Sequence, residues 1–411
     1  MPYGMPHFQA DPLSMKADTL QLALHPDADN EWIAGILYAQ AVTRALHSLP
    51  ATQRPDIHLL IKRRADGPYY TNLRASVTST SVYDSSRKLN LYKTIRTWAQ
   101  TIIQGEPKKK TLQWCLKKRQ ADLLFPARNS LGKHFPIPWI GWIPDLQHKH
   151  LPELFSPEDI LERDRQFQQL IDDATHIVVS SQDAYQDLLQ FYRAAPEHVS
   201  VYQFRTYADP SWFAGDPIET AEKYGLPDKF LMLPSQFWQH KNHLTLLKAI
   251  ACIKARGHSD ICLVLTGKDS DYRNPQHPEQ LKRFIHENNL ANNIRYIGFL
   301  PRQEQIHLMR RACAIVQPSL FEGWSMLVED CRTLGKDIFL SDLAVHKEQA
   351  YNKARYFDRH SADELARLLE VDWPTLQPGP NLAAESEARL ENEMLTAQSG
   401  EVLAQIFNKS L

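Results

Sequence analysis

The chain lacks a dominant charge. Its 47 Lys and Arg oppose 48 Asp and Glu, a formal net charge of −1 over 411 residues. General nucleic-acid binding usually shows a basic excess, so this balance gives it no support. A run of about 18 apolar residues is also missing, and no segment is expected to span a bilayer. The first twenty residues carry Pro2, Pro6, Asp11 and Lys16 without a continuous apolar stretch, so no signal peptide is expected. Cysteine is scarce: five residues, an odd number, with no CxxC pair. Cys262 and Cys313 fall inside apolar runs, which suits reduced core thiols in a cytoplasmic protein and not a disulfide framework. Internal repeats and low-complexity tracts are absent too.

What is present is enough apolar residue to build large cores: 43% hydrophobic against 23% charged. The length suits two domains of roughly 200 residues each. Short apolar runs alternate with helical patterns. Strands are expected at 20–26, 56–63, 175–181 and 198–204, and helices at 32–49 and about 182–192. The middle, about 64–135, is less regular and holds an aromatic, basic helical stretch at 89–104. The segment 205–220 has Pro, Gly and Asp clusters without periodicity and reads as a linker. The alternation then restarts, with strands at 229–235, 261–267, 294–300, 313–319 and 337–342. Helices are expected at 242–257, 278–290 and 302–312 between them. Such βα alternation means parallel sheets covered by helices, an α/β fold with two doubly wound, Rossmann-like domains facing a central cleft. The boundaries are drawn at 1–210, 211–384 and a helical tail of 385–411 that returns to the first domain. A cleft between two such domains is a natural substrate site.

One stretch, Pro318 to Gly335, sets three acids around a loop that enters a helix. Ser325 is a plausible N-cap and Gly335 a plausible C-terminal stop. Gly323 permits close backbone approach to a ligand, and the first helical turn favours phosphate. Helical spacing puts Glu329 on a stripe with Arg332 and Lys336, the pattern of a solvated face. Asp330 shares a stripe with Met326 and Leu334 and points inward or toward the cleft. Glu322 and Asp330, seven residues between them, are therefore the pair of interest, with Glu329 the alternative to Asp330.

This stretch resembles the E-x7-E signature of family 4 glycosyltransferases, retaining enzymes of GT-B fold. The likeness runs over about 229–370, through 233–250, 263–267, 294–323 and 341–349 in family order. It is weaker in the first domain, where Asp145 followed by Pro152 and Glu153, the stretch 176–188 and the stretch 29–42 are similar. The resemblance implies that Glu322 binds donor-sugar hydroxyls and Asp330 or Glu329 the ribose. It gives the diphosphate to Lys241, with the backbone N–H groups of Gly323, Trp324 and Ser325, and places Gly298 and Phe299 near the base. Gln236 stands where the family often has a second clamp, an arginine. Pro144 stands where it often has His, so Asp145 and His148 remain as acceptor-side candidates.

The implied activity is transfer of a hexose-type sugar from a nucleotide-diphosphate donor, GDP-mannose type favoured, to a glycan or lipid-linked glycan hydroxyl. Bacterial surface polysaccharide (O-antigen, capsule or lipopolysaccharide) is the implied product. No cofactor and no metal is expected. The H-x-H of 148–150 and the HKNH of 240–243 lack the further ligands that zinc needs. The alternatives are an epimerase or phosphorylase of the same architecture, or a catalytically silent nucleotide-sugar-binding subunit. The basic stretch 107–120 with Trp114 reads first as a solvated helix face, and alternatively as peripheral contact with an anionic membrane. Localisation is expected at the cytoplasm or the inner face of the plasma membrane, with no nucleic-acid partner.

Overall fold

A computed structural model describes residues 19–26, 33–83, 107–258, 260–349 and 351–411. The helix expected at 89–104 lies outside them. Two parallel sheets organise the chain. The first runs β3-β2-β1-β4-β5-β6-β7: β1 Gln21–Leu24, β2 Asp56–Ile61, β3 Ser79–Val82, β4 Leu123–Ala127, β5 Trp139–Ile143, β6 His176–Val179 and β7 Val199–Val201. The second runs β10-β9-β8-β11-β12-β13: β8 Leu231–Pro234, β9 Leu263–Thr266, β10 Ile294–Tyr296, β11 Ala314–Gln317, β12 Ile338–Ser341 and β13 Ala354–Phe357. Sheets covered on both faces need strands that are apolar throughout, and LMLP, LVLT and IFLS are buried at every position.

In each sheet the strand order reverses once, between β1 and β4 and between β8 and β11. Open α/β sheets bind ligands at the carboxyl ends of the strands flanking such a reversal. The loops there are Ser235–Lys241 after β8 and Pro318–Glu322 after β11, and Asn242 fastens them together. Asn242 sits in the left-handed region at φ 58°, and its amide donates to the carbonyls of Pro318 and Arg359, each at 2.9 Å. His240 accepts the Leu320 N–H on its carbonyl at 2.8 Å. Gly267 is obligatory beneath them: at φ +133° an added Cβ would stand 2.3 Å from the Ser235 carbonyl oxygen.

Two expectations need correction. The segment 205–220 is not a bare linker, because Pro210–Phe213 and Pro217–Lys223 are helical and Trp212 is buried in the second core. The supposedly irregular middle contributes β3 and β4. Pro126 lies inside β4, and the register with β5 shifts between Leu124 and Ala127, which disguises that strand.

The tail forms one 29-residue helix, Leu382–Ser410. It leaves the second domain through a buried bidentate pair, Arg310 with Glu385 at 2.8 and 2.9 Å. It ends in the first, where Leu403, Ile406 and Phe407 join the core with Leu46 and Phe125. Gly400 makes the crossing with helix Ile33–Ser48 possible, since a Cβ there would lie 2.2 Å from the Ala45 carbonyl oxygen. Gly400→Val should overpack this contact and lower stability by about 1–3 kcal/mol, read as a reduced urea midpoint.

Candidate active site between the two domains

A cavity of about 200 Å³ lies between the domains. The second domain supplies Lys241, Glu322, Gly323, His240 and Trp238, and the first supplies Asp145, Gln147, Trp142 and Tyr38. Its centre is an ion pair, Lys241 Nζ to Glu322 Oε1 at 2.7 Å. The same Glu322 oxygen accepts from the Ser319 hydroxyl at 2.7 Å and from the Gln317 amide at 2.9 Å. Burial works to raise the Glu322 carboxyl, but Lys241 and these donors hold it below its usual value. An ionised carboxylate and an ammonium are thus kept at the mouth of β8 and β11.

The acidic helix, Met326–Thr333, begins as the sequence suggests. The Ser325 hydroxyl accepts the Val328 N–H at 3.2 Å and donates to Gln317 at 2.8 Å. The Ser325 N–H, however, donates to Gln349 Oε1 at 2.9 Å, so it is not free for a phosphate. Trp324 turns away from the second domain: its indole N–H donates to the Phe204 carbonyl at 3.0 Å, and its ring packs on Phe204. Gly323 serves a close approach between domains. A Cβ there would stand 2.2 Å from the Pro144 carbonyl oxygen and 2.8 Å from Asp145 Cβ.

Glu329 is the clear departure. It is completely buried, not solvated, because Arg205 and the Gln349 side chain cover it. Arg205 contacts both of its oxygens at 3.1 and 3.2 Å, and Arg332 and Lys336 on the same stripe are buried as well. Asp330 is inward, as expected, but it borders the cavity no more than Glu329 does. Thr206 donates to it at 2.9 Å and Arg302 lies at 2.6 Å, while burial pushes its carboxyl up against their pull.

Gln236 is half-buried on the loop that Gly267 underlies. Gly298 adopts φ +77° and accepts the Gly267 N–H at 2.9 Å, beside the exposed ring of Phe299. In the first domain Asp145 lines the cavity and accepts the Gln147 N–H at 3.1 Å. His148 does not reach it. This imidazole is buried among Phe155, Phe167 and Tyr192 and bonds Asp164 and the Tyr192 hydroxyl, each at 3.0 Å. Burial lowers its pKa, so it is a neutral core histidine. His150 diverges from it toward Asp187, at 2.6 Å, with its ring 5.2 Å from Phe321. No metal-ligating group of three or more side chains occurs among the described residues.

Arg273 escaped the sequence reading. It leaves the loop after β9, donates to Gln147 of the first domain at 2.7 Å and to His240 Nδ1 at 2.9 Å, and lies over Phe155. The stacked pair Tyr38–Trp142, 3.8 Å between centroids, was missed as well. Nothing in the local pattern of either marks a cleft residue. Only the topology brings them there.

Two outcomes follow from these contacts. Glu329→Ala leaves Arg205 without its buried partner and should cost about 3–5 kcal/mol, seen as a large fall in Tm. His150 has its pKa raised by the Asp187 hydrogen bond, so its contribution is complete below its unfolded pKa and disappears as pH rises through the folded value. The Tm difference between wild type and His150→Asn should therefore shrink as pH rises from 6 toward 8, about the usual histidine range.

Residues 218–371 match the family described as Glycosyl transferases group 1. A D-inositol 3-phosphate glycosyltransferase of Corynebacterium glutamicum (strain R) is 24% identical over 260 residues, covering 59% of this chain and 59% of that protein. Among solved structures, Anabaena HepE in complex with UDP has a TM-score of 0.66 at 15% identity, with 95% of this chain and 100% of that one covered. Sucrose-phosphate synthase from Thermosynechococcus elongatus has a TM-score of 0.66 at 14% identity, with 95% and 100% covered. WaaG, a glycosyltransferase involved in lipopolysaccharide biosynthesis, has a TM-score of 0.54 at 13% identity, with 92% and 95% covered. These structural likenesses speak for the fold, and the family match speaks for the second domain. The chain has the GT-B fold, with residues 218–371 matching the glycosyl transferases group 1 family.

Proposed function

We propose that this protein is a retaining glycosyltransferase of family 4 type, moving a hexose from a nucleotide-diphosphate donor to a hydroxyl of a glycan acceptor. The observation that carries the reading is the Lys241–Glu322 pair, held at the strand-order reversal of the second sheet and facing a cavity shared with the first domain. On donor binding Lys241 turns to the diphosphate, where stabilising the departing negative charge is the large catalytic term. Glu322, kept ionised, is released to accept sugar hydroxyls. The ribose falls to Asp330 with Arg302. Glu329 is withdrawn from that role by Arg205 and Gln349. Lys241 and the helix end neutralise the diphosphate without a metal. Closure of the cleft excludes water from the transfer.

The acceptor is proposed to be a growing bacterial surface polysaccharide, met at the cytoplasmic side. No helix among the described residues is long and apolar enough to cross a membrane. GDP-mannose remains the favoured donor. UDP-glucose, present in a further structure of Anabaena HepE, is its main competitor.

A thermal-shift series with UDP-, GDP-, dTDP- and CMP-sugars, with and without chelator, tests this. One nucleotide class should raise Tm, with about 2.7 kcal/mol added at 100 times its dissociation constant. Glu322→Ala and Lys241→Ala should abolish the rise, and chelator should leave it intact. Product analysis must then show a new glycosidic bond with retained anomeric configuration. An isomerised or phosphorylated sugar would replace this reading with an epimerase or a phosphorylase.

A further inference from the structure

His240 borders the cavity beside Lys241 yet is only 5% exposed. Its Nδ1 lies 2.9 Å from an Arg273 N–H. A guanidinium carries donors only, so Nδ1 must accept, and it cannot bear a proton. The ring proton then belongs to Nε2. Among the described residues that nitrogen makes no hydrogen bond, and His240 is one of the residues lining the cavity. The arrangement depends on both domains. The guanidinium that sets the tautomer also donates to Gln147 of the first domain and lies over Phe155. On its own side it stacks near Trp238 and Tyr272, and buried Asp271 receives its backbone N–H at 3.0 Å.

We infer that His240 contacts the substrate: its Nε2–H, fixed in place by Arg273, donates a hydrogen bond to an oxygen of the donor's diphosphate. Arg273 is the positioning residue, and its reach into the first domain makes this donor available only in the closed arrangement. The inference rests on the glycosyl-transfer reading above and adds a residue to it. An anionic oxygen is favoured over a neutral one by the cations nearby, Lys241 and Arg273. It also explains how the site manages with Gln236 where a second cationic clamp would stand: a neutral donor backed by an arginine takes that place. Burial, Lys241, Arg273 and His243 all lower the His240 pKa, so the imidazole stays neutral at working pH. The remaining charged groups close by are Asp271, 3.8 Å from the Arg273 guanidinium, Glu322, satisfied by Lys241, and Asp145 across the cavity.

The experiment combines calorimetry with UDP and GDP, steady-state kinetics and 15N-imidazole NMR. In wild type the His240 resonances should report a bare Nδ1 and a protonated Nε2 throughout the pH range of folding. The Nε2–H signal should shift when a nucleoside diphosphate binds. His240→Phe, which keeps the ring and deletes the donor, should lose about 10²-fold in kcat, the effect of removing one preorganised donor. Arg273→Met frees the tautomer. Its activity should be low at neutral and alkaline pH, where the proton can move to Nδ1, and recover at acid pH, where imidazolium restores Nε2–H. A purely structural arginine would give a uniform loss without that profile. Nucleotide binding by wild type together with an undiminished kcat in His240→Phe would overturn the inference and leave the proposed function standing. A protonated Nδ1 in wild type would overturn it directly. Failure of wild type to bind UDP, GDP and, in a third titration, dTDP would remove both readings.

Discussion

One carboxylate oxygen organises the cleft. Glu322 Oε1 accepts from Lys241, Ser319 and Gln317, and those donors come from the ends of two adjacent central strands. The β8 loop, the β11 loop and the start of the acidic helix therefore share a single acceptor. Ser325 extends the set by donating to Gln317, and Gln349 holds Ser325 from the other side. The charge at the centre is affordable because every neighbour is a donor. In a partly dry site an unpaired carboxylate would take up a proton instead.

Around that centre the domains meet through backbone as much as side chains. Gly323 lies against the Pro144 carbonyl so closely that a single methyl group would not fit. Trp324 hands its indole N–H to Phe204. Glu348 of the second domain caps helix Gln182–Phe191 of the first, accepting the Gln182 N–H at 2.7 Å, where a helix end favours a negative charge. Arg205 with Glu329 and Thr206 with Asp330 tie the crossing strand of chain to the acidic helix. The seam thus joins the same helix that follows the cavity-lining loop.

Much of this was legible in the residues alone. Apolar runs marked five of the six strands of the second sheet, with Ala354–Phe357 missed, and helical spacing separated Asp330 from Glu329. Both stripes nonetheless turned out to be buried. A 3.6-residue period tells one face of a helix from another, but not what covers either face. Here helix Leu382–Ser410 packs on the acidic helix, Arg205 covers the Glu329 stripe and Thr206 the Asp330 stripe, all from far along the chain. His148 failed for a related reason. Its spacing from Asp145 suits a shared loop, yet the one-turn helix Gln147–His150 rotates it into the aromatic cluster around Tyr192. Arg273 was invisible because its partners, Gln147 and His240, are 126 and 33 residues away in sequence.

The long tail helix gives the molecule a second crossing. The chain passes from first domain to second once through residues 202–216, and returns along Leu382–Ser410, anchored by Glu385 at one end and Phe407 at the other. Asn392 and Ser399 on the returning helix donate to the carbonyls of Thr206 and Gln203 on the outgoing strand, so the two crossings run side by side. A pair of bodies joined at one point can swivel in any direction. Joined along a line, they behave as a book on its spine, with freedom to open and shut but little to twist. Any opening hinged along that line would leave β8 and β11 facing β5, so the two halves of the cavity would meet again in the same register.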